Sequence, residues 1–112
     1  MVEKVVRNGQ VAVIISQDYG AGWSTWATNP NDIDILMYHP KLVELIESGK
    51  TREMAGEDVI AWWVENELGA DVYLGGWGGL SIKWIPQGTK FRIEEYDGAE
   101  YIITEADLPH TA

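Results

Sequence analysis

The sequence contains no cysteine, which excludes a disulfide framework and a thiolate metal site and fits a reducing compartment without requiring one. Its only histidines are His39 and His110, each without another histidine nearby, so a zinc site lacks its usual ligand set. Cations are scarce as well. Eight Lys and Arg stand against eighteen Asp and Glu, and the net charge of −10 works against the basic footprint that direct DNA or RNA binding needs. No apolar run approaches the roughly 18 residues of a membrane span, and residues 1–7 carry no apolar block of the signal-peptide type. These absences lead to the expectation of a cytoplasmic protein with neither membrane nor nucleic acid as a direct partner. The acidic balance reads as solubility, or as a mimic of nucleic acid directed at a basic groove. The carboxylates are scattered and form no unbroken run.

Apolar residues, by contrast, make up 46% of the 112 residues, with six Trp, five Tyr and twelve Gly. That composition predicts one globular domain over residues 1–112, burying roughly two thirds of its unfolded surface. No repeat, low-complexity stretch or linker divides it. The chain is organised around Asp18 to Trp26, where three aromatics, two glycines and two hydroxyls follow an apolar run. So much ring surface is costly to leave in water, so the segment either folds back on the core or covers something bound there.

Taken in order, Val2 to Arg7 and Gln10 to Ser16 flank Asn8-Gly9, a strong hairpin signal because both turn positions need positive φ. A two-residue turn places Val6 opposite Val11 and puts Val11, Val13 and Ile15 on one face, Ala12 and Ile14 on the other. The second strand is apolar on both sides and is expected at the centre of a sheet. Asn29-Pro30-Asn31-Asp32 reads as a turn, and Ile33 to Tyr38 as extended or irregular. Pro40 opens a helix through Ser48, closed by Gly49, and a second helix runs from about Gly56 to Leu68 with Glu57 and Asp58 in its first turn. Asp71 to Leu74 and Leu80 to Ile85 read as strands around Gly75-Gly76-Trp77-Gly78-Gly79. Lys90 to Tyr96 and Ala99 to Thr104 flank Asp97-Gly98 as a second hairpin. Its register places Glu95 opposite Glu100, which is either a strongly solvated edge or a place where a partner supplies positive charge; the solvated edge is favoured. Leu108 to Ala112 reads as a loose tail. The order β-β-α-α-β-β-β-β gives an α+β single domain, mainly one antiparallel sheet with two helices packed on one face.

For chemistry, Gly20-Ala-Gly22 lacks the third glycine of a dinucleotide fingerprint, and Ser24 lacks the glycine spacing of a nucleophile elbow. Asp32 and Asp34 would share a face if extended and could hold a hard cation, but turn chemistry explains Asp32 without one. Glu94, Glu95, Asp97 and Glu100 could supply an acid/base pair, with no cofactor motif beside them. No catalytic residue, metal or cofactor is therefore assigned, and a small hydrolase is the least favoured class. What the residues offer instead is a binding surface: Tyr19, Gly20, Gly22, Trp23, Ser24, Thr25 and Trp26, joined by Trp77 if both Trp-bearing loops lie at one end of the sheet. Trp23, Trp26 and Trp77 would stack a flat ring and the glycine-rich backbone would offer amides to a phosphate, with Arg7, Lys83, Lys90 or Arg92 offsetting the acidic balance. The competing reading makes these rings core. Trp62 beside Trp63 on one helix gives more apolar surface than a small sheet covers, and predicts a homo-oligomer.

Val11-Ala-Val with Tyr19-Gly-Ala-Gly-Trp-Ser-Thr-Trp, and Gly88-Thr-Lys-Phe-Arg-Ile-Glu-Glu-Tyr-Asp-Gly-Ala-Glu, resemble a group of short, mostly uncharacterised bacteriophage and prophage accessory proteins. The resemblance covers both ends of the chain and carries no activity that transfers to a residue. It implies a phage accessory protein in the host cytoplasm that counteracts host defence, by sequestering a nucleotide-type signal or by acting as an acidic inhibitor of a host enzyme or nucleic-acid-binding complex.

Overall fold

The structure, a computed structural model, describes residues 2–54 and 56–105; the tail from Leu108 to Ala112 and His110 lie outside them. Among the described residues there are three α-helices and five strands, all paired antiparallel, in an α+β arrangement. Strands β1 (Val6–Arg7), β2 (Gln10–Ser16) and β3 (Leu80–Pro86) form a sheet in the order β1-β2-β3, while β4 (Phe91–Tyr96) and β5 (Ala99–Thr104) form a two-stranded sheet of their own. The one expected sheet is thus two.

Both hairpins turn where the sequence places them, with Asn8-Gly9 and Asp97-Gly98 all at positive φ. The register is also as read: Val6 opposes Val11, Ile93 opposes Ile102 and Glu95 opposes Glu100. Strand β2 is central and buried on both faces, as its two-sided apolar pattern requires. Ala12 and Ile14 pack with Trp23, Leu36, Leu42, Val43, Val64 and Trp77 in the larger cluster. Val13, with Ile85 and Tyr38, packs against Phe91, Ile93 and Ile102 of the second sheet. The domain is therefore layered, with helices on one side of β2 and a hairpin on the other.

Helices α1 (Pro30–Tyr38), α2 (Pro40–Glu47) and α3 (Glu57–Trp63) supply the helical layer. Two expectations are corrected here. Ile33 to Tyr38 is helical, because Asn29, taken above as turn chemistry, caps the helix by accepting from Asn31 N–H at 2.9 Å, with Pro30 at its first position and Asp32 in its first turn. Asp71 to Leu74 is no strand. Its chain leads from Tyr73 into a 3-10 turn over Leu74–Gly79, a glycine-rich segment with little to gain from a ladder. Helix α3 widens into a π turn over Val64–Leu68, where Asn66 Nδ2 donates to Trp62 O at 2.8 Å.

Candidate functional site

The turn after β2 is held from three directions, and its residues separate into those that fill the core and those that face a groove. Trp23 is fully buried, and its Nε1 donates to Leu36 O at 3.0 Å. Its ring meets that of Trp77 edge-on, with centroids 6.0 Å apart at 62°, and Trp63 meets Trp77 likewise at 5.9 Å and 71°. Trp77 Nε1 in turn donates to Thr51 O at 3.0 Å. The two Trp-bearing loops do lie together, but each ring occupies the space the other leaves, so Trp23 and Trp77 are core and present no free face to a ligand. The glycines serve this contact. A Cβ on Gly76 would stand 2.5 Å from Gly22 O, and Ser16 Oγ donates to Gly76 O at 2.8 Å, so the two loop backbones touch where a side chain would part them.

Trp26 and Tyr19 behave differently. Trp26 is exposed and stacks on exposed Tyr73 with centroids 5.6 Å apart at 24°, and Tyr19 is exposed beside Gly20, whose N–H donates to Asp97 O at 2.6 Å. Trp62 is 59% exposed on α3, next to exposed Val59.

Glu100 is the largest surprise. It is 3% exposed, and its carboxylate accepts four hydrogen bonds: Ser16 N–H to Oε1 at 2.9 Å, then Trp23 N–H at 2.9 Å, Thr25 N–H at 3.0 Å and Thr25 Oγ1–H at 2.5 Å to Oε2. The expectation of a solvated edge is therefore corrected at Glu100, whereas Glu95 is exposed. Glu95 accepts from Gly98 N–H at 2.7 Å at the turn, while Glu100 points away into donors that stabilise a buried carboxylate. Ser16 needs such an acceptor because Ala12 N–H reaches Val5 O on the β1 side, and Ser16, four residues on, offers its N–H to that same edge beyond the end of β1.

Of the other expected acid/base carboxylates, Glu94 accepts from Arg92 Nε at 2.7 Å, while Asp97 is exposed at the turn. Asp32 and Asp34 lie two apart on α1, where such positions diverge, and among the described residues no group of three or more His, Asp or Glu could hold a metal ion.

Between the turn and the hairpin runs an open groove of about 700 Å³. One wall is Ser24, Thr25 and Ala27 with Ile33, Met37 and Tyr38 of α1; the other is Thr89, Lys90, Phe91, Arg92 and Ile93. Two of the expected site residues, Ser24 and Thr25, line it. Tyr19, Gly20, Gly22, Trp23, Trp26 and Trp77 do not. Lys90 makes no ion pair among the described residues, and Arg92 is bound only through the exposed contact with Glu94. The Tyr38 hydroxyl is held above its ordinary pKa by burial and by the nearby Asp34 charge, so this wall stays neutral. Sequence reading passed over Ile33, Met37 and Phe91. Ile33 and Met37 carried one signal, an apolar spacing of four that an α-helical reading of Pro30 to Tyr38 would have placed on a common face.

Among the described residues no helix is long and apolar enough to cross a membrane. Compared with known protein families, curated proteins and solved structures, the chain matches none.

Proposed function

We propose that this chain is a non-enzymatic binding protein that holds a small, flat anionic ligand of the nucleotide type in the groove between the turn and the hairpin. The observation that carries this reading is local: an apolar groove lined by Lys90 and Arg92 in a chain whose net charge is −10. Ile33, Met37 and Phe91 supply apolar contact for a ring, Thr89 a hydroxyl, and the two cations charge for a phosphate. The resemblance to phage accessory proteins supports a role in withdrawing such a signal from host defence. The test is a thermal-shift screen of nucleotides and cyclic oligonucleotides, since a ligand at 100 times its Kd adds about 2.7 kcal/mol to the folded state. Lys90→Ala with Arg92→Ala should melt like the parent and lose the shift. A parent that responds to no compound would sink the reading.

A second reading, an inhibitor of a basic partner protein, is supported by the outer face of α3. There Val59 and Trp62 stand exposed among Glu57, Asp58 and Glu65. Self-association through the same face brings like charges together, so a homo-oligomer built on Trp62 should strengthen as salt screens them. Light scattering at low and high salt reads this directly.

A further inference from the structure

We propose that Glu100 is the positioning residue of the groove, fixing the distance between its two walls. This rests on the groove reading above for its functional consequence, though not for its geometry. Among the described residues the hairpin β4–β5 shares no ladder with the central sheet, so its placement depends on the one backbone bond from Gly20 N–H to Asp97 O at its tip, on side chains, and on the apolar contacts of Phe91, Ile93 and Ile102. Apolar contacts are non-directional and permit sliding. The Glu100 carboxylate is directional, joining β5 to the edge of β2 at Ser16 and to the turn at Trp23 and Thr25. Thr25 is the pivot. It gives two donors to Glu100 and also lines the groove, opposite Lys90 to Ile93 on the strand paired with β5. The bond that buries Glu100 thus sets how far Thr25 stands from the cationic wall.

The chain lacks cysteine, so a Cys pair introduced at exposed Glu44 on α2 and exposed Tyr96 on β4 can be spin-labelled uniquely and the hairpin-to-body distance measured by double electron–electron resonance. The ligand-free parent should give one narrow distribution. Glu100→Gln replaces an acceptor oxygen by an amide donor facing N–H groups, and should broaden the distribution and shift it. Thr25→Val removes only the hydroxyl bond and should move it the same way by less. Unchanged narrow distributions in folded Glu100→Gln and in Thr25→Val would overturn the proposal, since a contact that only adds stability would lower the melting temperature and leave the hairpin in place. If Glu100→Gln does not fold, Thr25→Val decides alone, broadening in support and an unchanged distance against. Should AMP and cyclic dinucleotides shift the melting of neither parent nor variant while the distance responds, the ligand reading fails and the positioning role stands.

Discussion

The two faces of β2 are covered by different means. On one, Ala12 and Ile14 meet helices and a cluster of tryptophans, two of which, Trp23 and Trp77, have their indole N–H groups tied to backbone carbonyls. On the other, Val13 meets a hairpin that belongs to a separate sheet and is anchored through one buried carboxylate and one backbone bond at its turn. A two-stranded sheet is marginal by itself, so the second face needs a specific tether where the first is held by area. The difference teaches where this domain can be altered. The helical face trades in volume and tolerates no vacancy, while the hairpin face depends on a small set of hydrogen bonds and encloses the groove.

Breaking the helical face should give the largest effect. Trp23→Ala opens a cavity against Trp77 and strands Leu36 O, and should cost about 3–5 kcal/mol in urea unfolding, the range for a truncated core indole. Next comes the tether. Glu100→Ala leaves four donors without their acceptor, with an expected loss on the order of 3 kcal/mol as water reaches only some of them. Here formate sharpens the contrast, because a free carboxylate can refill the Glu100 site but nothing so small refills the Trp23 cavity. Formate should raise the melting temperature of Glu100→Ala above a chloride control and leave Trp23→Ala unmoved; equal responses would erase the distinction.

A smaller effect belongs to the helical layer. His39 Nδ1 accepts from Lys41 N–H at 3.1 Å, capping α2, and burial first, then the Lys41 charge, hold its pKa below the ordinary value. With the folded pKa depressed, the unfolded chain binds the proton more readily, so stability is complete above about 6.5 and falls as acid carries the solution below that value. His39→Asn keeps a capping acceptor without a titrating ring and should flatten this part of the pH profile; a profile identical to the parent's would assign it to other groups. The smallest change is Trp26→Ala. Trp26 is 40% exposed and, among the described residues, its ring stacks on Tyr73 alone, so a loss of under about 1 kcal/mol is expected beside the loss at Trp23, three residues away.

Much of this layout was legible in the sequence because it is locally encoded. Asn8-Gly9 and Asp97-Gly98 dictate their own turns, and a two-residue turn dictates the register that pairs Glu95 with Glu100. The two-sided apolar pattern of β2 marks it as central. Helix α1 was misread because asparagine and proline serve turns and helix starts alike, and only the following residues decide between them. The site was less legible. Glu100 faces like charge in its own hairpin, and the donors that reverse that reading come from Ser16, Trp23 and Thr25. Periodicity could mark Trp23 and Trp77 as costly to expose, but not that they would meet each other. The groove joins segments from both ends of the domain, which no local pattern describes.

The Glu100 contacts also constrain the order of events as the chain is made. Their partners precede Glu100 by 75, 77 and 84 residues, so the turn that organises the domain leaves the ribosome long before its acceptor exists. Strand β2 waits likewise for β3, with Ala12 paired to Trp84 and Ile14 to Ile82. Until then an apolar strand has one short neighbour and an open edge, a form exposed to pairing with other chains. With its main pairings this distant in sequence, the domain should fold slowly for its size, as a unit closed only when Glu100 and its hairpin are in place.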